Sequence, residues 1–189
     1  MRFHRLKIKD LILIKPEIYD DDRGFFYESY NKAKFDEFVG LNVNFVQDNY
    51  SKSNFGVLRG LHMQTKPYEQ GKLVRVVHGE VFDVAVDMRK NSSTFGHWEG
   101  VNLSDINHNQ LWIPEGFAHA FLVLSDEVLF QYKTTNFYNK ESEVTINFDD
   151  SDINIKWPTL NLKNYIISDK DKKGLSLKNF VESDYFRRI

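Results

Sequence analysis

The stretch Lys72-Leu73-Val74-Arg75-Val76-Val77-His78-Gly79-Glu80-Val81-Phe82-Asp83-Val84-Ala85-Val86-Asp87 contains two short, β-branched runs on either side of a Gly-centred turn. Lengths of four to eight residues, broken by Gly or Asn/Ser, mark strands rather than helix. The spacing predicts a hairpin through His78-Gly79-Glu80, and a second where Ser125-Asp126-Glu127 leads into Val128-Leu129-Phe130-Gln131-Tyr132-Lys133. Working outward, Leu11 to Lys15 reads as a first strand, followed by a turn at Asp20-Asp21-Asp22-Arg23-Gly24, and Val43 to Gln47 opens the period-two region. Strands are then expected to about residue 150. Asn31 to Gly40 is the exception: Ala33, Phe35, Phe38 and Val39 recur at helical spacing, with Asn31 placed as N-cap and Gly40 as C-cap. After Trp157-Pro158 the chain turns polar; Ser168-Asp169-Lys170-Asp171 is suited to opening a helical turn, and the tail is expected to lie over the strands. Many short, closely spaced strands predict an all-β barrel or sandwich.

Composition narrows the function. At 189 residues, without repeats, low-complexity tracts or a linker, the chain is expected to form one domain over residues 1–189. Its 25 basic and 27 acidic residues are mixed along the chain, so it lacks the one-sided positive field that nucleic acid selects. The absence of cysteine removes disulfides, thiolate metal sites and cysteine nucleophiles. Metal sites in β-barrels usually take two ligands from one strand at i, i+2; no His-x-His pair occurs, and no metal is expected. Neither Gly-x-Gly-x-x-Gly nor Gly-x-x-x-x-Gly-Lys-Ser/Thr is present. The charged N-terminal residues and the four-residue apolar run Leu11–Ile14 fit neither a signal segment nor a membrane span, so a cytoplasmic location is expected.

Polar residues set into apolar strand patterns are the informative ones, because burying them costs free energy unless they are paired or used. Four stand out, each with a bland alternative. His62, in Arg59-Gly60-Leu61-His62, is either catalytic or a satisfied core histidine. Lys72, at the head of its strand, is either an electrophile or a solvated end. His119 leaves a Pro-x-Gly turn onto a strand whose same-face neighbours are Phe121 and Val123. Tyr132 shares parity with Val128 and Phe130, as a core tyrosine would too. His4, His78, His97 and His108 fall near turns or termini and are expected to be solvated.

Four blocks together resemble the dTDP-4-dehydrorhamnose 3,5-epimerase family: Gln47-Asp48-Asn49-Tyr50-Ser51-Lys52-Ser53, Val57-Leu58-Arg59-Gly60-Leu61-His62, Gly79-Glu80-Val81-Phe82-Asp83-Val84-Ala85-Val86-Asp87 and Trp112-Ile113-Pro114-Glu115-Gly116-Phe117-Ala118-His119. The resemblance runs from about residue 10 to Asp171. It implies a cupin jelly roll, a homodimer, no cofactor, a dTDP-4-keto-6-deoxyhexose substrate and a place in dTDP-rhamnose and other deoxysugar synthesis, such as that of O-antigen. It also implies roles: His62 as general base, Asp171 as the carboxylate that orients it, Tyr132 as acid on the other sugar face and Lys72 as enolate stabiliser and substrate contact. Arg23, Glu28, Gln47, Asn49, Arg59, His119, Glu143 and Lys170 match positions that hold nucleotide and sugar, and Tyr138 matches an aromatic beside the base. Asp169 competes with Asp171 for its assignment, since the preceding stretch varies in length. Strict alternation would also place Arg59 and His62 on opposite faces, a conflict that a bulge at Gly60 removes.

The implied chemistry suits these residue types. C3 and C5 of a 4-keto sugar both adjoin the carbonyl, so loss of either proton gives an enolate, and return from the other face inverts the centre. Histidine is suited to the base, a fixed cation to the charge growing on O4, and clustered Arg23, Arg59 and Lys170 to the diphosphate. Siblings that invert only C3 or only C5, or accept another 4-keto nucleotide sugar, would carry nearly the same residues. A cupin that only binds sugar would not need His62, Lys72, Tyr132 and Asp171 together.

Overall fold

The computed structural model describes residues 1–160 and 165–189; residues 161–164 of the polar stretch after Pro158 lie outside the described residues. Thirteen strands, Arg2–Arg5 (β1), Ile12–Lys15 (β2), Ile18–Asp21 (β3), Gly24–Tyr27 (β4), Gln47–Asn54 (β5), Leu58–Gln64 (β6), Lys72–His78 (β7), Glu80–Asp87 (β8), Trp98–Ser104 (β9), Gln110–Ile113 (β10), Phe117–Val123 (β11), Glu127–Thr134 (β12) and Glu143–Thr145 (β13), account for most of the regular structure. Two antiparallel sheets, ordered β1-β2-β10-β7-β12-β5 and β13-β6-β11-β8-β9, stack as a jelly-roll sandwich, and β3 and β4 form a separate hairpin. The sandwich is open rather than a closed barrel.

Alternation explains the stacking. Val74 and Val76 of one sheet meet Val81, Ala85, Phe117 and Phe121 of the other, with Phe130 between them. Each outer face is covered in turn. The helix Lys32–Val39 (α1), capped by Asn31 and by a left-handed Gly40, sets Phe35 against Ile12, Ile14, Leu73 and Trp112. Phe35 and Trp112 meet edge-on at 5.3 Å, a geometry worth about 0.5–1.5 kcal/mol beyond burial. The tail, with helices Leu177–Glu182 (α2) and Asp184–Arg187 (α3), lays Phe180 and Phe186 over Leu61, Met63, Val84 and Ala118. No helix among the described residues is long and apolar enough to cross a membrane.

Four expectations need correction. Leu11–Lys15 is not the first strand: Arg2–Arg5 precedes and pairs with it, too polar to be read because it is an edge strand held through its backbone. Val43 to Val46 is not strand; Val43 and Phe45 alternate because they pack beside Phe35, and pairing starts at Gln47. Neither expected hairpin forms, since β7 and β8 lie in different sheets, as do β11 and β12. Those turns are corners where the chain changes sheet. They interlock: the Gly79 φ is +85°, a Cβ there would lie 2.2 Å from the Glu127 carbonyl oxygen, and Glu80 N–H donates to Ser125 Oγ at 2.9 Å.

Candidate active site

The conflict between Arg59 and His62 is resolved at Gly60. Opposite β6, the partner strand β11 advances two residues, from His119 to Phe121, while β6 advances three, from His62 to Arg59. That extra residue is a β-bulge, and cross-strand partners share a face, so Arg59 and His62 both turn inward. Gly60 is required here: its φ is +124°, and a Cβ would lie 2.4 Å from Ala120 Cβ and 2.5 Å from the His119 carbonyl oxygen.

Between the sheets at this level is a cavity of about 260 Å³. His62, His119 and Arg59 reach it from the five-stranded sheet; Lys72, Tyr132 and Asn49 reach it from the six-stranded sheet. A larger cavity of about 830 Å³, beside Phe148, Trp157 and Tyr165, gathers none of these groups.

His62 Nε2 lies 2.6 Å from Asp171 Oδ1, leaving Nδ1 to exchange a proton with a bound molecule. Asp171 comes from the tail, at the start of the 3-10 turn Asp171–Lys173, where its N–H donates to Ser168 Oγ at 3.1 Å. Burial alone would raise its pKa, but hydrogen bonds from His62, Gly60 N–H and Ser168 hold the carboxyl below the usual carboxylate range. Asp169 is solvent-exposed and pairs with Lys172. Geometry therefore selects Asp171 as the partner of His62.

Lys72 is not a solvated end. It is buried, its Nζ donates to the His62 carbonyl oxygen at 3.2 Å, and burial pushes the ammonium down to about 8 against the opposing charges of Asp83 and Glu143. Burial lowers His119 too, so that it favours the neutral ring, whose Nε2 lies 2.9 Å from Asp83 Oδ2. Tyr132 packs on Phe130, and burial raises its phenol further above neutrality, opposed by Arg59 and reinforced by Glu143. It remains a proton donor at neutral pH.

The other expected contacts form a rim. Gln47 Nε2 donates to Asn49 Oδ1 and Gln47 Oε1 accepts from Tyr138 N–H; the Tyr138 hydroxyl donates to Glu143 Oε2, and Glu143 pairs with Lys170. Burial opposes ionisation of Glu143, yet Lys170, Tyr138 and His62 hold it below its ordinary value, so this rim stays charged. Arg59 is steered by Ser53 Oγ at 2.9 Å. Arg23 and Glu28 are not brought to this cavity: Arg23, at the tip of the β3–β4 hairpin, pairs with Asp21, and Glu28 accepts from Asn31 and Lys34. Asp83 was not anticipated as a site residue, although its parity with Val81 and Ala85 in an apolar strand is the signal of an inward carboxylate; its Oδ1 has no partner among the described residues. Two His-x-Glu spacings do occur, at His78–Glu80 and His97–Glu99, with both histidines exposed. Among the described residues no three metal-type ligands cluster.

A family model described as dTDP-4-dehydrorhamnose 3,5-epimerase matches residues 5–179. The chain belongs to the dTDP-4-dehydrorhamnose 3,5-epimerase family. It is similar to the dTDP-4-dehydrorhamnose 3,5-epimerase of Shigella flexneri, 58% identical over 186 residues that cover 98% of this chain and 99% of the relative. Among solved structures, a dTDP-6-deoxy-D-glucose-3,5-epimerase of Legionella pneumophila in complex with dTDP-4-keto-L-rhamnose is 48% identical, with a TM-score of 0.90 over 94% of this chain and 93% of that one. The 4-keto-6-deoxy sugar epimerase of the Streptomyces spheroides novobiocin cluster superposes with a TM-score of 0.91 at 35% identity, covering 96% and 90% of the two chains. Membership of the epimerase family makes the chain an isomerase, and its family relatives share the open jelly-roll sandwich.

Proposed function

We propose that this protein is a dTDP-4-dehydrorhamnose 3,5-epimerase that converts dTDP-4-keto-6-deoxy-D-glucose to dTDP-4-keto-L-rhamnose. The observation that carries the reading is the 2.6 Å contact from Asp171 of the tail to His62, which lines one side of a cavity whose facing sheet presents Tyr132 and the buried Lys72. His62 Nδ1 removes a proton from C3 or C5, the C–H electron pair becomes an enolate, and Lys72 meets the charge gathered on O4. Tyr132 then gives its hydroxyl proton to the same carbon from the opposite face and is recharged from solvent, as His62 releases its own proton. No metal or organic cofactor takes part. About 260 Å³ falls below the roughly 300–1,000 Å³ that encloses a drug-sized ligand. The sugar therefore enters the cavity while the nucleotide lies along the rim of Gln47, Asn49, Arg59, Tyr138, Glu143 and Lys170.

The 1–189 chain works as one domain and as a homodimer in the cytoplasm, in a deoxysugar pathway of the O-antigen type. Dimerisation is supported by the β3–β4 hairpin, which exposes Tyr19, Phe25 and Phe26 at 57%, 58% and 69%. It also gives Arg23 and Glu28 a use, on a partner's nucleotide rather than in their own cavity. Proton NMR in D2O with dTDP-4-keto-6-deoxy-D-glucose tests the reading. Deuterium must enter at both C3 and C5 with formation of the L-sugar; exchange at one carbon alone would make the protein a monoepimerase, and none at all would exclude epimerase activity.

A further inference from the structure

One part of the cavity wall is unlike the rest. His62, Lys72, Arg59, Asn49 and Tyr132 each bring a polar end to it, but Phe121 and Phe130 bring only carbon. Their rings stack at 4.3 Å with 19° between planes, one from each sheet, and close the gap between His119 and Tyr132. Phe121, 5% exposed, is the ring that meets the cavity, and the fully buried Phe130 stacks behind it and holds it in place, so the floor is a packed aromatic wall on two strands rather than an adaptable loop. The imidazole beside the rings is already engaged, His119 Nε2 with Asp83 Oδ2 at 2.9 Å, and Lys72, which holds the His62 carbonyl oxygen, is reserved for O4 in the reading above.

A 4-keto-6-deoxyhexose has one exocyclic carbon without oxygen, the C6 methyl on reacting carbon C5. Resting on the functional reading above, we propose that the Phe121–Phe130 floor is the subsite for that methyl group and sets the preference for 6-deoxy over 6-hydroxy sugars. A methyl against stacked rings loses only water. A 6-hydroxyl in the same place would be desolvated over an aromatic face without a partner. The floor also fixes which way the sugar enters, since the methyl end faces Phe121 and Phe130 while the oxygenated edge faces His62, Lys72 and Tyr132. Selectivity then accompanies orientation at the reacting carbon.

The test is calorimetric titration of the full chain with dTDP-6-deoxy-D-glucose, dTDP-D-glucose and dTDP alone, none of which has the 4-keto group needed for turnover. The parent protein should bind the 6-deoxy compound about tenfold more tightly than its 6-hydroxy counterpart, within the modest range by which apolar pockets resolve one hydroxyl. Phe121→Ser should bring that ratio close to one with dTDP affinity unchanged, and Phe121→Leu, which keeps the wall apolar, should retain most of it. Each ratio is internal to one protein, so a general loss of folded fraction cancels, and if Phe121→Ser does not fold the parent ratio still decides. Equal affinities in the parent, or an undiminished preference in Phe121→Ser, overturn the subsite. A parent protein that binds none of the three overturns the functional reading and the subsite with it.

Discussion

His62 and His119 are direct cross-strand partners in the β6–β11 pair, yet a different carboxylate holds each ring: Asp171 for His62, at 2.6 Å, and Asp83 for His119, at 2.9 Å. Their accessibility separates their uses. The His62 side chain is 30% exposed and the His119 side chain 8%, so only His62 can trade protons freely with substrate and solvent.

His62→Ala is therefore expected to abolish solvent exchange at both sugar carbons, a loss of roughly 10²–10⁴ in rate. His119→Asn should slow turnover while exchange continues at both. NMR in D2O reads both variants; exchange at near-parental rate at either carbon in His62→Ala would show a second base.

Lys72 sets the alkaline limit. A buried ammonium lowered to about 8 loses its charge as pH rises through that value, well before an ordinary lysine would. The expected kcat/KM profile of the free enzyme falls above about pH 8. In Lys72→Arg, whose guanidinium does not titrate in this range, the rate should be lower but the fall should disappear. A limb that stays near 8 in the variant would belong to another group.

For Tyr132→Phe, ring packing on Phe130 persists while the donor is lost. Deuterium should still wash into at least one carbon through His62, whereas yield of the L-sugar falls by about 10²-fold or more. Formation of the doubly inverted product near the parental rate would leave Tyr132 as a core residue only.

Gly60→Ala places a methyl 2.4 Å from Ala120 Cβ at a φ of +124°. The expected cost is about 1–3 kcal/mol, or roughly 2–4 °C in Tm for each kcal/mol. Activity measured well below that Tm should fall as well, because the bulge is what turns both Arg59 and His62 inward. A stable, fully active variant would show that the bulge forms without glycine.

What was legible in the residues depended on whether a local rule or a distant contact decided the matter. Asn31 and Gly40 bound α1 because capping is local chemistry, and the inward parity of Tyr132 follows from alternation along one strand. The corners at Gly79 and Ser125 were misread as hairpins because two adjacent strands look the same whether they pair or part; the choice is made by β10, β11 and β12, which compete for their edges. Asp83 had its local signal in its parity with Val81 and Ala85, but its partner, His119, lies 36 residues away, and the pairing itself follows only from the β8–β11 register.

The link between His62 and Asp171 joins residues 109 positions apart. Contacts of that span are slow to form, because a long loop must close before anything is gained. During synthesis the two sheets can assemble with His62 and Tyr132 in place while His62 still lacks its carboxylate partner, and with His62 as the base proposed above, proton abstraction waits for the tail to dock. Recovery of turnover in a refolding experiment thus times the last docking step, while strand signals in circular dichroism time the first.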